Sequence, residues 1–287
     1  MTSRAERHRI DDVNLDGAAI EYLLCDADGN LFPSEEPAFD ASVIVTNQFL
    51  QRFGLPGDRS AEELRVATTG KNFRSTAVDL VVAAGVPVEA GIAGDRTDAV
   101  IATAEQLANH QALSRADLEY WVHEERDVVT RHLGATLRPD DRVRGPLRRL
   151  SHRFRLAAVS SSASMRLAAC FRATGLDGLM PADLRFSAED SLAIPVSKPD
   201  PAVYLFAGEV LGVRGEQGLA IEDSVPGVLS AVAAGFPTVG NTMFVDVAER
   251  DHRAQLLRDA GACTVTESWA ELETLLSATP SPSSGVA

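Results

Sequence analysis

The stretch "IEYLLCDADGNLF" (residues 20–32) decides the fold. A short apolar run stops abruptly on Asp26, skips one residue to Asp28, and turns away at Gly29. Continuous rather than alternating hydrophobicity marks a strand buried on both faces. The pattern returns in "FRLAAVSSS" (154–162), "DLRFSAED" (183–190), "QGLAIEDS" (217–224) and "FPTVGN" (236–241). Helical patterns lie between these runs, in "RGPLRRLSHRF", "SMRLAACFRATG" and "PDPAVYLFAGEVLG". Such alternation predicts an α/β, Rossmann-like parallel sheet with helices on both faces.

More than a hundred residues separate the first run from the second, and their texture is different. From Pro37 to about Thr136 apolar residues recur at intervals of three and four, as in "AFDASVIVTNQFLQRFG", "DAVIATAEQLANHQ" and "RADLEYWVHEERDVVTRHLG". A crossover that long is not a loop. It predicts an inserted all-helical domain over 37–136, carried on a core made of 18–36 and 137–276. The Pro/Ser-rich tail, 277–287, is expected to be disordered.

The chain has 287 residues, 45% of them apolar, and a formal net charge of −14. That acidity argues against a nucleic-acid or anionic-membrane surface, and any anion-handling site must gather positive charge locally. No apolar run approaches the ~20 residues that span a bilayer. The N-terminus "MTSRAERHRIDDVNLDG" lacks the apolar core of a signal peptide, so a cytoplasmic protein is expected. Three widely spaced cysteines indicate neither a disulfide framework nor a zinc site.

In open parallel sheets ligands collect beyond the carboxyl ends of the strands, so the residues closing each run are candidate site residues. Asp26 and Asp28 close the first. Two such carboxylates need a cation or a proton between them, although an Asp-Gly turn with solvated acids is the plainer alternative. Ser160, with Ser161 after it, closes the second and could bind an anion or simply cap the next helix. Glu222 and Asp223 close the fourth, followed by Ser224 and a Pro-Gly helix start. Lys198 stands out on composition: of 27 basic residues only Lys71 and Lys198 are lysine. A compact ammonium fits small sites where a planar guanidinium does not.

The order "DADGNL … VSSS … SKPDP … IEDS" resembles the four motifs of the haloacid dehalogenase-like hydrolase superfamily. The branch it is most similar to carries a helical cap after the first motif and includes phosphoglycolate and sugar-phosphate phosphatases and β-phosphoglucomutase. The resemblance implies that Asp26 is the nucleophile of an aspartyl-phosphate mechanism and Asp28 the general acid and base. It implies phosphoryl binding by Ser160, substrate contacts from Ser161 and, mostly through its backbone, from Asn30, and charge neutralisation by Lys198. It implies Mg²⁺ held by Asp26, Glu222, Asp223 and the Asp28 carbonyl.

Departures within the motifs narrow the expectation. Dehalogenases of the superfamily carry tyrosine in place of Asp28, so a second aspartate favours a phosphate-ester leaving group that needs a proton. β-Phosphoglucomutases carry a histidine after the first motif, whereas "FPSEEPAF" has none, which favours hydrolysis over the mutase alternative. The usual Thr or Val after "DxDG" is Asn30 here. In the cap, "ATTGKNFRS" (67–75) corresponds to a specificity loop, and Gly70, Lys71, Asn72 and Arg74 are expected to meet the substrate. Tyr120 and Trp121 are expected in the cap's core. The expectation is a Mg²⁺-dependent phosphatase of small sugar, polyol or sugar-acid monophosphates, monomeric or homodimeric.

Overall fold

A computed structural model describes residues 19–67, 72–94 and 96–277. Two compact units divide the chain, one formed by Met1–Pro33 with Leu137–Ala287 and the other by Ser34–Thr136. The N-terminal segment and nearly all of the expected tail lie outside the described residues.

The first unit is built on a parallel sheet of six strands. These are β1 (Tyr22–Cys25), β2 (Arg155–Ser160), β3 (Arg185–Ser187), β4 (Gly218–Glu222), β5 (Thr238–Asn241) and β6 (Thr264–Thr266). Their order across the sheet is β3-β2-β1-β4-β5-β6. The first strand is therefore central, and the topology reverses beside it, which opens a crevice above its carboxyl end. Every residue of β1, β4 and β5 is buried, as their unbroken apolar runs require. One face packs Tyr22, Leu24, Ala157, Val159, Ala220 and Phe236 into a hydrophobic core.

Strand β6 was not legible in the sequence. It is three residues long, sits at the sheet edge and is only half-buried, so it lacks the apolar run that marks the others.

The second unit is helical, with α1 (Glu35–Arg52), α2 (Ala61–Ala67), α3 (Phe73–Ala83), the short α4 (Ala90–Ala93) and α5 (Ala104–Ala108), and α6 (Arg115–Thr136). Phe49, Val78, Val81, Val88, Leu113 and Leu118 are buried in its core, with Trp121 partly buried against them. Tyr120 corrects the expectation: it is 59% exposed and meets the edge of Trp121 from outside. In "DAVIATAEQLANHQ" only α5 is helical. Val100 and Ala102 bond to the backbone of Val88 instead, and Thr103 with Gln106 forms a capping box that starts the helix late.

After the second unit the chain returns through α7 (Asp141–Leu150) to β2. The remaining helices of the first unit are α8 (Ser164–Thr174), α9 (Ala202–Leu211), α10 (Val225–Ala233), α11 (Arg250–Asp259) and α12 (Trp269–Ser277).

Candidate active site

The register of the three central strands assembles the site. Cys25 lies opposite Ala158 on one side and Ile221 on the other, so Asp26 emerges level with Val159 and Glu222. Lys198 reaches into this row. Its Nζ donates to Asp26 Oδ1 at 2.5 Å, to Glu222 Oε1 at 2.6 Å and to the Val159 carbonyl at 2.9 Å. The Lys198 side chain is only 6% exposed, which strengthens each contact relative to water. Tyr204, fully buried on α9, donates its hydroxyl to the same Glu222 oxygen at 2.5 Å.

Asp26, Glu222 and Asp223 each bring one carboxylate oxygen within 4.8 Å of the others, and all three are buried. Burial pushes the Asp26 carboxyl up to about 8, against the pull of the Lys198 ammonium and with a further push from Glu222. Lys198 is held above its ordinary value: dehydration alone would lower it, but the Asp26 and Glu222 carboxylates outweigh that cost. Asp26 and Glu222 thus share one ammonium, with the Asp223 carboxylate close beside them.

Two observations show that the acids fit a divalent cation. Glu222 Oε2 is buried without a hydrogen-bond partner, although Oε1 accepts from both Lys198 and Tyr204. A buried, unpaired carboxylate oxygen is costly unless something positive meets it. The backbone also makes room for the acids. A Cβ on Gly29, which adopts φ +77°, would lie 2.2 Å from Asp223 Oδ2, and one on Gly227 would lie 1.7 Å from Glu222 Oε2. An all-oxygen donor set of this kind suits a hard cation such as Mg²⁺.

Asp28 points elsewhere. Its Oδ2 accepts from Ser162 Oγ at 2.6 Å and its Oδ1 from Arg166 Nη2 at 3.1 Å. Ser160 closes β2, is 1% exposed, and accepts from the Ser162 amide at 3.0 Å. Ser161 is exposed beside it, its hydroxyl accepting from the Lys198 amide at 3.3 Å. The two DxD acids, Ser160, Ser161, Lys198, Glu222 and Asp223 are therefore gathered at one end of the sheet.

Asn30 is a correction. It is fully buried, and its side chain cannot bind substrate because both ends are already used. Its Nδ2 donates to the carbonyls of Asp26 and Ile221, each at 3.0 Å, and its Oδ1 accepts from Asn241 Nδ2 at 2.8 Å. Trp269 Nε1 donates to the Asn30 carbonyl at 3.0 Å. Asn30 is thus a strut tying the turn after β1 to β4, β5 and α12.

Of the four substrate contacts expected in the helical unit, Gly70 and Lys71 lie outside the described residues. The other two have structural work there. Asn72 caps α3, its side-chain oxygen accepting from the Ser75 amide, and Arg74 forms a two-pronged pair with Glu119 at 2.5 and 2.6 Å. Three residues of the sheet-end cluster were not singled out from sequence: Ser162, Arg166 and Tyr204. Ser162 is the last residue of the "VSSS" motif, and Tyr204 sits one helical turn past "SKPDP".

Comparison with known proteins agrees with this fold. A plasmid-borne CbbY protein of Cupriavidus necator is 42% identical over 94 residues, spanning 30% of this chain and 37% of the relative. The match thus covers well under two thirds of that protein. A haloacid dehalogenase family hydrolase of Deinococcus radiodurans, solved with bound phosphate and sodium, has 24% identity and a TM-score of 0.57 over 91% of this chain and 97% of that one. CbbY of Rhodobacter sphaeroides, solved with xylulose-1,5-bisphosphate, has 21% identity and a TM-score of 0.54 over 88% and 96%. At these identities the likeness is one of fold. The model of haloacid dehalogenase-like hydrolases matches residues 21–235, and the chain belongs to that family.

Proposed function

We propose that this hydrolase is a Mg²⁺-dependent phosphatase of small phosphorylated metabolites, namely sugar, polyol or sugar-acid monophosphates. The observation that carries the reading is the row beyond the central strands, where Lys198 bridges Asp26 and Glu222 and Asp223 completes an acid triad. The carboxylates of Asp26, Glu222 and Asp223, with the Asp28 carbonyl, would hold the metal. When bound, the cation supplies positive charge that keeps Asp26 ionised and offsets its repulsion from a phosphate dianion.

Each remaining step falls to a side chain. A carboxylate oxygen of Asp26 attacks phosphorus, and the ester oxygen leaves with a proton from Asp28. Asp26 is left as an acyl phosphate. Asp28, now a carboxylate, takes a proton from water, which attacks phosphorus and restores the Asp26 carboxylate while releasing inorganic phosphate. Lys198 stays protonated throughout and neutralises charge on the nucleophile without crowding it. Ser160 and Ser161 orient the phosphoryl oxygens.

Turnover of p-nitrophenyl phosphate with and without Mg²⁺ tests the reaction class. A panel of sugar, polyol and sugar-acid phosphates then tests the substrate class. Pentulose bisphosphates belong in the panel because the Rhodobacter protein was solved with one. Isomerisation of a sugar phosphate in place of phosphate release would establish the mutase alternative. No turnover at any metal concentration would point to a binding protein instead.

A further inference from the structure

The DxD motif sets a problem that the mechanism above leaves open: what keeps its two acids in different jobs. Asp26 and Asp28 are two residues apart at the same strand end, and three carboxylates already crowd the cation cluster. A fourth turned into that cluster would become another metal ligand and would be lost to proton transfer. We infer that Ser162 and Arg166 are positioning residues that hold the Asp28 side chain out of the cation cluster and aim it at the leaving oxygen.

The contacts divide the motif cleanly. Asp26 has Lys198 as its counter-ion, whereas Asp28 has Arg166, at 3.1 Å from the first turn of α8. The pair is mostly sheltered, with side chains 26% and 22% exposed, so it is screened less than a surface pair. The second oxygen of Asp28 is fixed by Ser162 Oγ at 2.6 Å. Ser162 is itself anchored at both ends. Its amide donates to Ser160 Oγ at 3.0 Å, and its carbonyl accepts from Ser187 Oγ, at the end of β3, at 2.9 Å. A donor held this way has little freedom, so it passes the geometry of two strands on to Asp28. A hydroxyl can also donate to a carboxylate or accept from a carboxylic acid, so Ser162 can accompany Asp28 in either form.

The inference rests on the acid–base assignment of Asp28, and the test separates the two. Aryl phosphates of similar shape, 2,4-dinitrophenyl phosphate and phenyl phosphate, differ mainly in how much the departing oxygen needs a proton. kcat/KM reports on phosphoenzyme formation, the step in which that proton is given. Arg166→Gln is expected to lose about tenfold more kcat/KM on phenyl phosphate than on the dinitrophenyl ester, part of the roughly 10²–10⁴-fold due to general acid catalysis. Arg166→Lys should recover most of that difference. Ser162→Ala, which removes one oxygen, should show a smaller loss of the same kind and serves as the test should Arg166→Gln not fold. Equal losses on both esters, or none, in variants of an active wild type would overturn the inference alone. A wild type with no Mg²⁺-dependent turnover of either ester would overturn the underlying reading and the inference with it.

Discussion

Replacing Lys198 by methionine keeps most of the side-chain volume and removes the one ammonium that bridges Asp26 and Glu222. At an effective dielectric constant of about 20, each contact is worth roughly 6 kcal/mol of attraction, most of it offset by dehydrating the ions. The penalty for breaking a buried pair by removing one partner is about 3–5 kcal/mol, and here two carboxylates are stranded, one of them with no exposure at all. The sign of the pH dependence follows from the protons. Without the ammonium, burial holds the Asp26 carboxyl still further above its ordinary value in the folded chain, and so Asp26 binds a proton there before it does in the unfolded chain. Stability of the variant therefore rises as pH falls from above 8 toward 4, by up to ~1.4 kcal/mol per pH unit while Asp26 takes up its proton. Wild type, in which burial already raises Asp26 to about 8, gains less over the same window. Urea unfolding in EDTA at pH 8.5 and pH 6 measures this. The chain has two tryptophans, Trp121 and the fully buried Trp269, so a Trp121→Phe background leaves Trp269 to report on the sheet unit. The expected deficit is about 3–5 kcal/mol at pH 8.5 and smaller at pH 6. A deficit below ~1 kcal/mol at pH 8.5, or one that grows as pH falls, would refute the reasoning.

Two further substitutions probe the scaffold. Gly29→Ala places a Cβ 2.2 Å from Asp223 Oδ2 at a positive φ, so Asp223 must move; Mg²⁺ should be required at ≥10-fold higher concentration for half-maximal turnover, and an unchanged requirement would remove Asp223 from the cation site. Asn30→Val leaves Asn241 Nδ2 and two backbone carbonyls without their partner in a fully buried position. A loss of about 2–4 kcal/mol in urea unfolding is expected, with any fall in kcat following from the loosened turn. A stability loss under ~0.5 kcal/mol would show that the strut is dispensable.

Much of this architecture was legible in the sequence because burial on both faces leaves an unbroken apolar signature. Strands β1, β2, β4 and β5 carry it, and the acids and serines that close them could be read as candidate site residues without coordinates. Edge strand β6 lacks the signature and was missed. Partnerships across long sequence separations were also out of reach. Nothing local in "SMRLAAC" announces that Arg166 meets Asp28, 138 residues away, or that Asn30 meets Asn241, 211 residues away. Asn30 was misread for a related reason. Its place in the motif suggested a substrate contact, but an amide offers both donors and acceptors, and the chain spends them on backbone carbonyls inside the turn.

The central claim is that the Asp26 carboxylate, paired with Lys198, is the atom group that takes the phosphoryl group. Quenching the enzyme during turnover of p-nitrophenyl phosphate with Mg²⁺ and reducing it with borohydride converts an acyl phosphate to an alcohol, which peptide mass spectrometry can locate. Conversion of Asp26 to homoserine, dependent on both substrate and Mg²⁺, is the predicted result. Turnover with Asp26 unmodified, or with the label at Asp28 or another acid, would contradict the account.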